Sequence, residues 1–483
     1  MSSSTSNVNV YHTLVAASTT WPNNIAIVDE YGAITFAELY QQTEQLKTKL
    51  INQGLGYDQG IGLLIKNNRY FLIGLYAGIG CGAVVMPISP QQKPEEINNA
   101  TREAKLHYLL SDRADLYTVK KESHEIKHID QFLFLSNTNR NPEEKTIDFI
   151  EQPAVMRFTS GTTGEAKCVV LSHRSVIERI EAANEGLRLN HNDRVVWVLP
   201  MAYHFIVSIM LYVQYGVGII ICSDFLAESI LENIRKYSGT LLYASPMHIR
   251  LLASYAKDVS IPSLKRVIST TTSISTAICA AFKSKYRLPV MQAFGIIEVG
   301  LPIINIDRSE DHPEAVGYSL PAYTIAILDE SLNLLSSNET GLLAIKGPGM
   351  FDGYLSPVIL RDSVLKNGWF ITGDTAIRST DGLIEIKGRR KVVINVSGNK
   401  VFPTEVENVL NTYPGISLSK VYGQAHALLG EVVVADLILE NRHSFQEEAL
   451  LSHCHKMLSS FKVPHRINIV DHIEMTDSGK IKR

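Results

Sequence analysis

The ten residues Phe158–Lys167, FTSGTTGEAK, constrain this chain more than any other stretch: four hydroxyl side chains, two glycines and one lysine lie between two apolar runs. A packed core has no use for that composition. Gly161 and Gly164 let the backbone turn where other residues clash and come close to a ligand, while Thr159, Ser160, Thr162 and Thr163 offer donors to phosphate oxygens. Lys167 adds a compact positive charge. The spacing is not that of a Walker P-loop, which needs four residues between its glycines and a Lys-Ser/Thr pair opening a helix. Here the lysine is followed by CVVLS, a β-branched run. The stretch reads as a polyphosphate cradle joining two strands, near Ala154–Phe158 and Cys168–Leu171, with the next helix starting near Ser172 or Ser175.

A chain of 483 residues has room for more than one domain. Hydrophobic content of 45% with 20% charged residues fits an ordinary soluble globular protein. The net charge of −3 and the lack of any long run of like charge argue against nucleic acid as a partner. Five cysteines, scattered and without a CxxC pair, point to neither a disulfide framework nor a zinc cluster, so a reducing cytoplasm is the expected compartment. The amino terminus, MSSSTSNVNVYHT, has neither a basic region nor an apolar h-region. The apolar run Ile206–Cys222 approaches the length of a membrane span, but Gln214, Gly216 and Gly218 interrupt it. We read it as a buried helix to about Tyr215, a glycine turn and a core strand Val217–Cys222, with no transmembrane segment.

Helix-like stretches alternate with short apolar runs from Val8 to about Val392: GIGLLI at 60–65, VVMPI at 84–88, VVWVLP at 195–200, TLLYAS at 240–245 and RVIST at 266–270. That alternation implies βαβ units and an α/β fold of stacked, mostly parallel sheets. From Tyr323 the texture changes to short strands and turns, which predicts a small antiparallel, β-rich subdomain at about 323–388. After Gly388 a charged GRRK stretch precedes about ninety residues with strand and helix patterns of their own. The expected division is a large domain at 1–388 and a small α+β domain at 389–483. In the latter, Phe445–Phe461 is helical by its apolar spacing, and His453 and His455 diverge from Cys454 too widely to share a metal ion.

Further motifs follow in order: AFGIIE at 293–298, WFITGD at 369–374, GRRKVVINVSGNKVFPTEVE at 388–407 and MTDSGKIKR at 475–483. With the cradle, and with ITFAEL at 34–39, they resemble the acyl-activating adenylate-forming superfamily over nearly the whole chain. That superfamily holds acyl-CoA synthetases, carrier-loading adenylation domains and firefly-type luciferases.

The resemblance implies roles. Phe294 would lie against adenine with Gly295 beside it, and Glu298 would hold Mg²⁺ on the ATP phosphates, a hard oxygen donor for a hard cation. Asp374 would accept hydrogen bonds from both ribose hydroxyls, and Arg389 would contact ribose or phosphate. Lys391 falls at the hinge of a mobile small domain, and Gly398 would let the pantetheine arm of CoA pass close to the backbone. Lys480 would stabilise charge building on the α-phosphorus, while Thr163 and its neighbours hold the departing pyrophosphate. His204, in LPMAYHFI, matches a histidine that gates the acyl pocket. Two stretches depart from the pattern. Ile297 replaces a threonine that contacts the α-phosphate, a loss that would slow turnover, and STTTSI at 269–274 replaces a Gly/Ala-rich loop.

The implied reaction is ATP-dependent activation of a carboxylic acid to an acyl-adenylate, then transfer to the thiol of CoA with release of AMP. The cofactors implied are ATP, Mg²⁺ and CoA. A separate carrier protein is the alternative acceptor, and a nucleotide-binding homologue without catalysis is the alternative class. Pocket walls are expected from 203–208, 243–247, 269–274 and 292–300. These mix apolar and hydroxyl residues and hold no cation for a second carboxylate, so fatty or aromatic acids are expected. The chain would act as a monomer or a homodimer.

Overall fold

The computed structural model describes residues 8–92, 94–113, 126–159, 167–392, 394–396, 399–426, 430–440, 445–458, 460–476 and 480–482. Among these, the strands form four sheets, two of nine strands, one of four and one of five.

The first nine-stranded sheet has six parallel strands at its centre, Met291–Ile296, Arg266–Ser269, Leu241–Ala244, Arg194–Trp197, Gly218–Ile221 and Ile25–Asp29, in that spatial order. Antiparallel strands close both edges. In the second, Pro153–Phe158, Val84–Pro87, Gly60–Leu64 and Tyr108–Ser111 run parallel, and Cys168–Ser172 turns back antiparallel on the first of them. Alternate residues explain why these strands read as continuous apolar runs. Val195 and Trp197 enter a large core that also takes Ile61, Val85 and Val155 from the other sheet, while Val196 faces a second core under Ile230, Leu252 and Phe282. Both faces of each sheet are thus covered, as parallel sheets require.

The β-rich sheet comprises Thr324–Leu328, Thr340–Lys346, Phe370–Arg378 and Ile384–Arg389, all antiparallel. The five-stranded sheet, from Ile394 onward, packs on helices Pro403–Leu410 and Glu447–Met457, where Cys454 lies in the core. The α/β class, with a large amino-terminal part and a small carboxy-terminal domain, is therefore as read from the sequence.

The apolar run after Tyr203 differs from the expected regular helix. It opens as a wide π-type turn over Phe205–Met210, with Val207 at φ −85° and ψ 25°, and becomes α-helical only at Leu211–Gln214. The Ser208 hydroxyl, donating to the carbonyl of His204, competes for the backbone there. The strand that follows is Gly218–Ile221. No helix among the described residues is long and apolar enough to cross a membrane.

Candidate active site

The cradle's two flanking strands are Pro153–Phe158 and Cys168–Ser172, and Ser172 caps helix His173–Leu187 by accepting from the Ser175 amide at 3.2 Å. Thr159 and Lys167 close the base of the loop. The Thr159 amide donates to the Lys167 carbonyl at 2.9 Å, and the Lys167 amide donates to Thr159 Oγ1 at 3.2 Å. Ser160, Gly161, Thr162, Thr163 and Gly164 lie outside the described residues, as does Gly398.

From this base a chain of contacts leads to Glu298. The Lys167 ammonium sits 4.7 Å from the centre of the Tyr354 ring, and the Tyr354 hydroxyl donates to Glu298 Oε1 at 3.3 Å. Tyr354 pairs in register with Val169 on the strand leaving the cradle, so sheet geometry fixes this bridge. Nothing in the sequence flagged Tyr354.

Glu298 lies in the turn between strands Met291–Ile296 and Gly300–Ile304. Its carbonyl accepts from the Phe351 amide at 2.8 Å, and the Ile297 carbonyl accepts from Arg179 Nη1 at 2.8 Å. Arg179 is 1% exposed and also donates from Nε to the Gly349 carbonyl at 2.7 Å. It staples the Glu298 turn to the loop at Gly349, a second residue that sequence reading missed. Ile297 packs its side chain partly against the main core, as does Phe294. Gly295 is exposed, and a Cβ there would stand 2.8 Å from the Gly300 carbonyl oxygen, so the hairpin needs glycine.

Asp374 is 5% exposed in strand Phe370–Arg378. Arg389 Nε meets its Oδ1 at 2.7 Å, while Oδ2 is buried without a partner. Burial raises the Asp374 pKa, opposed by Arg389 and Lys480. One carboxylate oxygen is held and one is left to accept. Lys391 lies in a short turn, Arg390–Val392, directly after Arg389.

Lys480 reaches the same cluster from the last loop, whose base is closed by the Lys480 amide donating to Thr476 Oγ1 at 3.1 Å. Burial, then Arg389 and Arg157, lower its pKa to about 8, against the pull of Asp374 and Glu298. His204 follows the turn Met201–Tyr203, with Nε2 buried and unpartnered. Burial, then Arg157 and Lys480, pull its pKa down to about 3, so the imidazole is neutral at physiological pH.

Arg157 is the main surprise. The four expected wall segments hold no cation, but strand Pro153–Phe158, outside them, brings one near enough for its charge to act on Lys480 and His204. The Arg157 guanidinium lies 5.5 Å over the Tyr203 ring and donates from Nη1 to the Tyr203 carbonyl. The signal was a lone basic residue in PAVMRF, an otherwise apolar strand. Of the 269–274 stretch, Ser269 and Thr270 are buried, Ser269 Oγ has no partner, and Thr271 takes φ +81°.

The site therefore brings two carboxylates, Glu298 and Asp374, among three cations, Arg157, Arg389 and Lys480, with a neutral histidine beside them. Arg157 lies at the carboxyl end of the parallel strand Pro153–Phe158, the usual place for a ligand crevice. No cluster of three or more metal-ligating side chains occurs among the described residues. A single carboxylate at Glu298 suits a cation held mostly by phosphates, as Mg²⁺ commonly is.

Comparison with known proteins fits this geometry. The family model described as AMP-binding enzyme matches residues 14–355, and that described as AMP-binding enzyme C-terminal domain matches 405–480. An oxalate–CoA ligase of Arabidopsis thaliana is 26% identical over 473 residues, covering 93% of this chain and 92% of that protein. A 2-succinylbenzoate–CoA ligase of Listeria innocua is 27% identical, covering 96% of each. The solved o-succinylbenzoate CoA synthetase of Bacillus subtilis, in complex with an acyl-adenylate intermediate, superimposes with a TM-score of 0.85 at 20% identity, over 98% of this chain and 96% of that one.

Proposed function

The chain belongs to the AMP-binding enzyme family, and we propose that it is an acid–thiol ligase that joins a carboxylic acid to CoA through an acyl-adenylate. The observation that carries the reading is the convergence of Lys480, from the carboxy-terminal domain, on Asp374, Arg389 and Glu298 of the large domain.

ATP would lie with its ribose on the free Oδ2 of Asp374 and its adenine against Phe294. Its phosphates would run toward the cradle, where Lys167 and the loop hydroxyls meet the leaving pyrophosphate. Glu298, fixed by Tyr354 and by the Phe351 amide, would hold Mg²⁺, which neutralises phosphate charge when bound. The acid enters beside His204, whose neutral ring orients the carboxylate by hydrogen bonding. Lys480 supplies positive charge to the reacting carboxylate and α-phosphate as the new bond forms.

We take Arg390–Val392 as the hinge about which the small domain turns, withdrawing Lys480 and presenting the Gly398 face for thiol attack on the acyl carbonyl. The large and small domains then meet near residue 389, with the β-rich unit at 323–388 belonging to the large one. A fatty or aromatic acid suits the mixed apolar and hydroxyl walls, and the acids named for two relatives, succinylbenzoate and long-chain fatty acids, fall in that range, whereas the oxalate named for a third does not.

Carboxylate-dependent exchange of pyrophosphate into ATP, run over a panel of acids, tests the first half-reaction. Nucleotide binding with no exchange for any acid would refute the activity. Thioester formed on free CoA, against label moved to a carrier protein, then identifies the acceptor.

A further inference from the structure

Lys480 can act only while the small domain rests in one position, and a hinge by itself does not supply that rest. A body joined at one turn is free to rotate about it, so a second contact, on another element, has to select the position. Arg250 makes such a contact. It lies on helix Pro246–Ser254 of the large domain, and its Nη1 donates to the carbonyl of Ser417, on strand Ile416–His426 of the small one.

Both ends of this bond are prepared locally. Strand Ile416–His426 forms an edge of the five-stranded sheet. Its ladder to strand Gly430–Leu439 slips at the start, where Ile416 faces Leu439 and Leu418 faces Ile438. Ser417 is therefore the extra residue of a bulge, with nothing opposite it, and its backbone is free to turn toward another partner. Helix Pro403–Leu410, which follows the hinge, holds the strand firmly. The Val421 amide donates to the Glu407 carboxylate at 2.7 Å, and the Ser419 hydroxyl donates to Asn411 Oδ1 at 2.9 Å. Ser417 thus moves with that helix as one piece. On the large-domain side, Ile249 and Leu252 seat the arginine's helix in the second core, and Ser245 Oγ meets His248 Nδ1 at 2.6 Å at its start. Arg250, half-buried, reaches out from this fixed helix to the small domain, and among the described residues no carboxylate competes for it.

We propose that Arg250 is a positioning residue for the first half-reaction: its bond to Ser417 latches the small domain in the position that seats Lys480 beside Asp374. The bond breaks when the domain turns for thiol attack. Arg250 acts through Lys480 and not on the reacting atoms. The inference rests on the proposed activity only for what each position does, since the latch itself concerns where the small domain lies.

The test reads position apart from turnover. Spin labels are attached through Ala256→Cys and Glu448→Cys, both exposed and one in each domain, in a Cys81→Ser background in which the other four cysteines are buried. Distances between the labels are recorded by double electron–electron resonance with Mg²⁺ and α,β-methylene-ATP. With Arg250 in place, one main distance is expected. Arg250→Met, which keeps the stem and loses the donor, should shift the ratio of that population to a second one by about 10- to 100-fold, the worth of a hydrogen bond from a charged group. Arg250→Lys should restore part of it. In parallel, Arg250→Met should lower pyrophosphate exchange and leave thioester formation from a supplied acyl-adenylate unchanged or faster. An arginine that only supported the fold would lower both half-reactions together and leave the distances unmoved, and either result would overturn the latch. A shifted distance with no exchange for any acid, even in the wild-type chain, would support the latch and refute the activity. Normal exchange with an unmoved distance would do the reverse.

Discussion

On the proposed mechanism Lys480 works only while protonated, and its surroundings make protonation depend on pH in a range that is easy to assay. Burial lowers its pKa to about 8, with Arg389 and Arg157 acting in the same sense and Asp374 and Glu298 in the opposite one. A depressed lysine pKa means that the charged form is present at low pH and is lost as pH rises through that value. With a pKa of about 8, roughly 90% of the enzyme carries the charge at pH 7 and roughly 10% at pH 9, whereas an ordinary lysine would still be about 96% charged at pH 9. Because kcat/KM reports the free enzyme, its value for ATP in pyrophosphate exchange should fall about tenfold between pH 7 and pH 9. Arg389→Gln removes the strongest charged neighbour pushing Lys480 down and also frees Asp374 from its ion pair, so both effects raise the pKa. The alkaline limb should therefore move upward in that variant, even though affinity for ATP falls. A wild-type profile flat to pH 9.5, or a limb that moves downward in Arg389→Gln, would refute the reasoning.

Three further outcomes are expected. Lys480→Ala should lower pyrophosphate exchange by a factor of about 100 to 1,000, the usual loss when a transition-state charge partner is removed, while thioester formation from a supplied acyl-adenylate continues; an equal loss in both half-reactions would contradict domain alternation. Lys391→Pro should do the converse, sparing exchange and blocking thioester formation, because proline fixes the backbone angle that a hinge must change. Gly349→Ala should cost about 2 to 4 kcal/mol in a denaturant melt and raise KM for MgATP. The residue has φ +62°, and a Cβ there would stand 2.5 Å from the Arg179 amide nitrogen, forcing apart the staple that holds the Glu298 turn.

What the sequence made legible is what local pattern controls. Runs such as VVWV announce strands buried on two faces, and the structure divides Val195 and Trp197 from Val196 between two cores. The cradle's flanks and the strand-rich unit near Thr324–Arg389 follow from turn residues and β-branched runs for the same reason. Pairings across long separations were not legible. Arg157 and Tyr203 lie 46 residues apart, and Tyr354 and Glu298 lie 56 apart, joined only by sheet register and by the packing of two sheets on one core. The wide turn at Phe205–Met210 was missed because apolar spacing alone cannot distinguish it from an α-helix when Ser208 turns its hydroxyl back onto His204.

The residues that break local rules are also the ones that meet in the site. Arg157 is a charge in an apolar strand, Asp374 keeps a buried carboxylate oxygen without a donor, and His204 keeps a buried ring nitrogen without a partner. The last two are unfavourable by themselves, since an unsatisfied buried polar group costs about 1–3 kcal/mol. Two such groups near Lys480 are hard to attribute to packing, because apolar residues of similar volume would remove the penalty at each position. On the proposed mechanism ligand binding would remove it too, and in a directed way: a ribose diol would satisfy Asp374, and the substrate carboxylate would satisfy His204. The fold is thus least self-sufficient where the proposed mechanism would seat its substrates.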